Sequence, residues 1–399
     1  MAEQPIDRSL RKIRFIFRYS GMNLEERSRT WLQNFIYMFN FLWILTDIIG
    51  AFNWIFEGVN KGRNFIELTI VTPCLNLGMM AEFKTGYVVV HEERLFRLIN
   101  NLREMEKKRL VGPSANKIVK EESKFLYALI FALIVINVVV IILFVFGPLV
   151  VIVVKYFVSG KLELTLPFLD VYPVDCYDLR IWPFAYIHQI WTTVIVLSEI
   201  FAVDFLFYIC CTHIKMQFKV LNLEVTKVIA EERSARITED ENSRKKFNEL
   251  VKWHQDIIGS ASMLEEIYSK SNLVNYLSSS LIICLTGFNV TAINNMQIVV
   301  TFAVVCVAGM LQIFFVCFFG DMLMDSSTAV STAVYNSRWY LADAAFGKSA
   351  LIMQTRAQKP CTVTAAGFAD VNLKAFMKIL SSSWSYFALL QTVYKTSEN

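Results

Sequence analysis

Residues Phe125 to Phe146 read FLYALIFALIVINVVVIILFVF, and Gly147-Pro148 follows them. The run carries no charge. At about 1.5 Å of rise per residue, an α-helix of this length crosses the roughly 30 Å hydrocarbon core of a bilayer. The rest of the chain is built to match, with 55% hydrophobic and only 19% charged residues over 399 positions. A soluble domain holds about 45–50% apolar and 25% charged residues. These figures exclude a soluble enzyme, a disordered chain and a disulfide scaffold. They predict an all-α, polytopic membrane protein.

Working outward from that run, the hydropathy pattern predicts seven transmembrane helices. They cover approximately 31–56, 65–90, 125–154, 184–211, 273–293, 296–319 and 375–394. The second and seventh are diluted by polar residues, as expected of helices with one face on protein or water. The N-terminal MAEQPIDRSLRKIRF lacks the short apolar core of a cleaved signal peptide, so the first span is expected to do the targeting.

Basic residues decide orientation. Seven Lys and Arg precede the first span, ten fall within residues 84–124 and ten lie between spans four and five. The intervening loops after spans one and three carry two and three. Positive charge stays on the cytoplasmic side, which predicts a cytoplasmic N-terminus and, after seven crossings, an extracellular C-terminus. The same loops account for the net charge of +4 without nucleic acid.

The expected organisation is a cytoplasmic N-terminal segment (1–30), transmembrane helices one to four (31–211), and cytoplasmic helical extensions (212–272). Helices five and six (273–319), a cytoplasmic region (320–372), and helix seven with its extracellular tail (373–399) complete the chain. Residues 212–272 balance ten basic against ten acidic residues with apolar ones at helical spacing, as a helix leaving the membrane would. Residues 335–356 are expected to form one amphipathic helix, ended by Gln358-Lys359-Pro360.

Motifs for chemistry fail on geometry. Ala342–Ser349 (ADAAFGKS) fits a permissive phosphate-loop pattern but lacks its first glycine and a preceding strand. Asp178 and Asp321 would sit at opposite membrane faces, so they cannot share a proton as an aspartyl dyad must. His91, His188, His213 and His254 are scattered, and the eight cysteines include no metal-type pair. No enzyme activity, cofactor or metal site is expected. Asp47, Glu67, Glu82, Glu199 and Asp204 fall inside spans, where interhelical hydrogen bonding is the plainest use for them. The one sequon, Asn289-Val290-Thr291, is expected on the outer side but close to the membrane.

The C-terminal third carries more than composition. It contains Cys317-Phe318-Phe319-Gly320-Asp321, Ser326-Ser327, Tyr335-Asn336-Ser337-Arg338-Trp339-Tyr340, Gln358-Lys359-Pro360 and Ser385-Tyr386-Phe387-Ala388-Leu389-Leu390. In this order and spacing the chain resembles the insect odorant receptors. The resemblance implies a subunit of an odorant-gated, nonselective cation channel in the plasma membrane of sensory-neuron dendrites. Four subunits would surround one pore, as a heterotetramer with the shared coreceptor. The second cytoplasmic loop lacks the coreceptor's large insertion, so a ligand-binding (tuning) subunit is expected. A gustatory receptor-like channel shares the architecture, and a seven-helix G-protein-coupled receptor is the rival from another class, opposed by the charge count.

The resemblance also implies site residues. A small hydrophobic odorant would lie between spans two, three, four and six, near Thr72, Leu75, Ile141, Val145, Tyr186, Gln189, Thr193, Thr301 and Val305. Ser385, Leu389, Thr392 and Val393 would line the pore and its gate. Tyr335, Trp339 and Tyr340 would belong to the cytoplasmic anchor between subunits. Membrane lipid completes the list of partners.

Overall fold

The computed structural model describes residues 3–23, 29–230, 241–337, 339–341 and 344–398. All regular structure among them is helical: α1 (Pro5–Tyr19), α2 (Trp31–Asn60), α3 (Phe65–Val90), α4 (Glu92–Arg109), α5 (Pro113–Ser159), α6 (Trp182–Ala230), α7 (Glu241–Ala292), α8 (Met296–Tyr335), α9 (Ala344–Ala357) and α10 (Leu373–Glu398). Six of these, α2, α3, α5, α6, α7 and α8, are long and apolar enough to cross a membrane. The 26 residues of α10 also suffice in length, but serines and threonines dilute it.

The helix limits are local chemistry. Thr30 and Gln33 form a reciprocal capping box at the start of α2, and Asn64 and Asn295 accept backbone N–H groups at the starts of α3 and α8. At the start of α5, Gly112 adopts a positive φ and Pro113 supplies the pre-set first turn.

Length sets the architecture. With 49 and 52 residues, α6 and α7 extend about 75 Å, more than twice a bilayer core, so both project well beyond it at the end carrying the basic loops. At that basic end α1, α4 and α9 pack around the projecting helices. From Glu199 to Ile214 every residue of α6 is buried, which makes it the axis of the bundle there. Trp253, Phe218, Phe247 and Phe319 fill the surrounding core. Outside lipid such burial stabilises by roughly 1.5–3 kcal/mol per large side chain. Over the membrane-length part of the bundle the rim helices turn apolar residues outwards, including Trp31, Phe35, Phe52 and Phe56 of α2 and Phe131, Val150 and Val154 of α5. That is the surface lipid requires.

The glycine of the Cys317–Asp321 motif is fixed by contact. A Cβ on Gly320 would collide with the Val371 carbonyl oxygen, so no other residue lets α8 meet the chain entering α10. The segment 361–371 is locked beside it. Ser327 Oγ receives the Cys361 N–H at 2.9 Å, Val371 N donates to Val363 O at 2.7 Å, and Ala366 N donates to Ser269 O of α7 at 3.0 Å.

One expectation changes. The single helix over 335–356 is instead the end of α8, a 3-10 turn at Trp339–Leu341 and α9. The hydroxyl of Ser337 donates back to Val334 O at 2.6 Å, closing α8 in the way serine competes with helix propagation. Residues 1–30, expected as a cytoplasmic N-terminal segment, hold the helix α1. Asn289 is fully buried and exchanges two hydrogen bonds with Thr69, at 2.7 and 2.8 Å, so the sequon offers no acceptor amide. Arg338, Ala342 and Asp343, named in the motifs above, and residues 231–240 of the 212–272 extension lie outside the described residues.

Candidate functional site

Two adjoining cavities lie between the helices towards the far end. The first, about 90 Å³, is walled by α3, α5, α6, α7 and α8, with Asp47 entering from α2. The second, about 320 Å³, lies under the α5–α6 connection and reaches α8 at Ile298, Thr301 and Phe302. Asp47, Cys74, Phe144 and Phe168 line both. A cavity of about 150 Å³ accepts benzene, so together they suit a small organic molecule. The lining is overwhelmingly apolar, as sites for such ligands are.

The cover over the second cavity is held by one amide. Gln189, fully buried on α6, accepts the Phe168 N–H at 2.9 Å and donates to Phe168 O at 3.2 Å and Asp170 Oδ2 at 3.0 Å. Phe168 is thereby set against Phe144, ring centroids 5.5 Å apart. On its other side the cover reaches α2, where Val171 N donates to Gly50 O at 3.2 Å and the carboxyl of Asp170 hydrogen-bonds that of Asp47. Burial, then the neighbouring Asp47 carboxyl, push Asp170 up to about 8. Thr46 and Tyr172 flank the pair through His188, at 2.9 and 3.2 Å.

The floor of the first cavity is a polar network. Gln312 of α8 donates to Asp204 Oδ2 at 2.7 Å and to Asn275 Oδ1 at 3.1 Å, and Ser279 donates to its carbonyl at 3.5 Å. Asp204 also pairs with Lys84 at 2.5 Å, all of it buried. One residue along α7 from Ser279, Ser280 meets Ser383 of α10.

Of the nine residues expected at the ligand, Thr193 and Val305 line the first cavity and Leu75 and Thr301 the second. The other five stand behind the walls. Thr72 donates back to Leu68 O, Tyr186 donates its hydroxyl to Val145 O and Gln189 holds the cover. Ile141 and Val145 lie on α5 beyond the lining residues Val140 and Phe144. Sequence reasoning did not select Asn137, Cys74, Phe144, Phe168 or Gln312 for this site.

On α10 the buried positions Ala375, Ile379 and Ser383 face α7 and α8, while Ser385, Leu389, Thr392 and Val393 are exposed on the single chain. At the basic end Tyr335, Trp339 and Tyr340 are also exposed, at 65%, 38% and 67%. Among the described residues no cluster of three or more His, Cys, Asp or Glu could hold a metal, and all eight cysteines are free.

Comparison with known proteins fits this geometry. Odorant receptor 92a of Drosophila melanogaster is 25% identical over 92% of this chain and 89% of its own length. Odorant receptor 67c of the same organism is 24% identical over 88% and 86%. In fold, the chain is similar to the insect olfactory receptor OR5 from Machilis hrabei, with a TM-score of 0.82, 17% identity, and coverage of 97% of this chain and 98% of that one. The family described as 7tm Odorant receptor matches residues 64–384, four-fifths of the sequence and the whole of helices α3 to α8. The chain therefore belongs to the insect odorant receptors, multi-pass membrane receptors for odorants and not enzymes.

Proposed function

We propose that this receptor is the odorant-binding, tuning subunit of an odorant-gated, nonselective cation channel. It would work in the plasma membrane of sensory-neuron dendrites, in a heterotetramer with the coreceptor. The basic end is then cytoplasmic, α10 is a seventh crossing with the C-terminus outside, and the exposed Tyr335, Trp339 and Tyr340 meet a neighbouring subunit.

The observation that carries the reading is the link from cavity to α10. An apolar molecule held between α3, α5, α6 and α8 touches Gln312 and Ser279, and the next residue on α7, Ser280, is bonded to Ser383. Displacement of α7 by an occupant is thereby passed to the helix proposed to line the pore. The Machilis hrabei receptor of the same fold is known in complex with eugenol, which supports small-molecule binding here.

Co-expression with an insect coreceptor tests this. Odorant application should evoke rapid cation current that needs no G protein, and the chain alone should give little. A response that requires G-protein signalling would replace the channel reading with the receptor alternative.

A further inference from the structure

The cavities are apolar, yet two buried acceptors in them are left over. Among the described residues, Asn137 Oδ1 meets no hydrogen-bond donor, and Asp47 Oδ1 meets none beyond what the Asp170 carboxyl offers. Asp47 enters from α2 and lines both cavities, while Asn137 stands on the α5 wall of the first. In the first cavity the other hydroxyl and amide side chains already have partners. Thr192 and Thr193 donate to the carbonyls of His188 and Gln189 at 3.0 and 2.8 Å, and Gln312 is engaged by Asp204, Asn275 and Ser279. Buried acceptors without donors are uncommon and costly, and an orphan facing a cavity is answered by what the cavity holds.

Resting on the odorant-receptor reading, we propose that the site takes a small apolar molecule bearing a hydroxyl, an alcohol or phenol, in preference to an ether of the same size. A hydroxyl has one proton to donate, which the Asn137 carbonyl or the Asp47 carboxyl beside it accepts. An ether has no proton to give to either acceptor. An ammonium would have to shed far more water to enter so apolar a space. Shape and dispersion hold the carbon skeleton against Phe144, Phe168 and Val305, and the hydroxyl sets its orientation.

The experiment uses isomer pairs on the receptor co-expressed with the coreceptor: butanol against diethyl ether, and benzyl alcohol against anisole. Each alcohol should activate at about a tenfold lower concentration than its ether, the worth of one or two hydrogen bonds. Asn137→Leu should shrink that ratio severalfold while the ether response persists, which shows the variant folded and gating. Asp47→Asn offers a second reading of the same ratio at the other wall and should also shrink it. If ethers match or exceed their alcohols on the native receptor, the donor assignment is overturned and odorant gating stands. The assignment is overturned equally if neither substitution changes the ratio. If no member of either pair evokes current while the coreceptor answers its own agonist, both readings fall.

Discussion

Lys84 Nζ lies 2.5 Å from Asp204 Oδ1, joining α3 to α6 with both side chains at most 4% exposed. Gln312 from α8 satisfies the other carboxylate oxygen at 2.7 Å. Removing one member of a buried pair leaves an uncompensated charge, at a cost of about 3–5 kcal/mol, whereas replacing both can be close to neutral. Lys84→Met and Asp204→Leu are each expected to depress surface abundance and detergent melting temperature sharply. The double variant should recover most of the loss. Single variants no worse than the double would show that the pair does not hold the bundle together.

Ser383 Oγ accepts from Ser280 Oγ at 3.1 Å while donating to Ile379 O at 2.8 Å. This tie between α7 and α10 is worth about 1 kcal/mol, or roughly fivefold in an equilibrium between two positions of α10. Ser383→Ala is expected to raise basal current about fivefold relative to the maximal evoked current, with little change in odorant concentration dependence. A fall in surface expression alone would mark the contact as one of folding.

The cover over the second cavity should respond to external pH. Asp170 lies outside the helices, and burial together with Asp47 raises its carboxyl to about 8. A raised acid keeps its proton in the closed form and releases it when exposed. The tie to Asp47 is therefore full below about pH 4 and is lost as pH rises through about 8. Tyr172, Tyr177 and Cys176 stand close enough to feel the charge, and burial raises all three above their ordinary values. Odorant dissociation is expected to quicken severalfold between external pH of about 6 and about 9, and Asp170→Asn should flatten that dependence. A pH-independent rate in the native receptor would mean the two carboxyls do not share a proton.

How much of this the sequence discloses depends on whether a residue's role is local. The third span, α5, is legible because an uninterrupted apolar run is a local signal. The helix α1 is equally local, with Ile6, Leu10, Ile13 and Phe17 at helical spacing among the charges of residues 1–30. Asn137 was legible in principle as the lone amide in the most apolar run. Gln189 illustrates the opposite limit. Its polar, inward-facing position suggested a ligand contact, but a loop 19 to 21 residues earlier claims all its hydrogen bonds, and no periodicity announces that pairing. Asp47 and Asp170 likewise become a pair only through the fold.

The final expectation concerns the pore. Along α10, Ser385, Leu389, Thr392 and Val393 are exposed, whereas Phe387, Leu390 and Tyr394 turn partly into the chain. Tyr394 meets Phe288 with ring centroids 5.8 Å apart, and Gln391 reaches Thr291 at 3.3 Å, so α7 fixes the rotation of the helix. Trp384 and Tyr386, also exposed, suit lipid or a neighbouring subunit, while a stripe of serine and threonine would be costly there and suits water. Within that stripe Leu389 is the large apolar residue, able to close a narrow passage by excluding water, with Thr392 beside it to help solvate a cation. Leu389→Ala is expected to raise basal current. Ser385→Cys, Leu389→Cys and Thr392→Cys should react with charged thiol reagents chiefly during odorant application, in a background where the native cysteines are shown to be silent. Faster reaction at Phe387→Cys and Leu390→Cys would mean that α10 turns its other face to the pore.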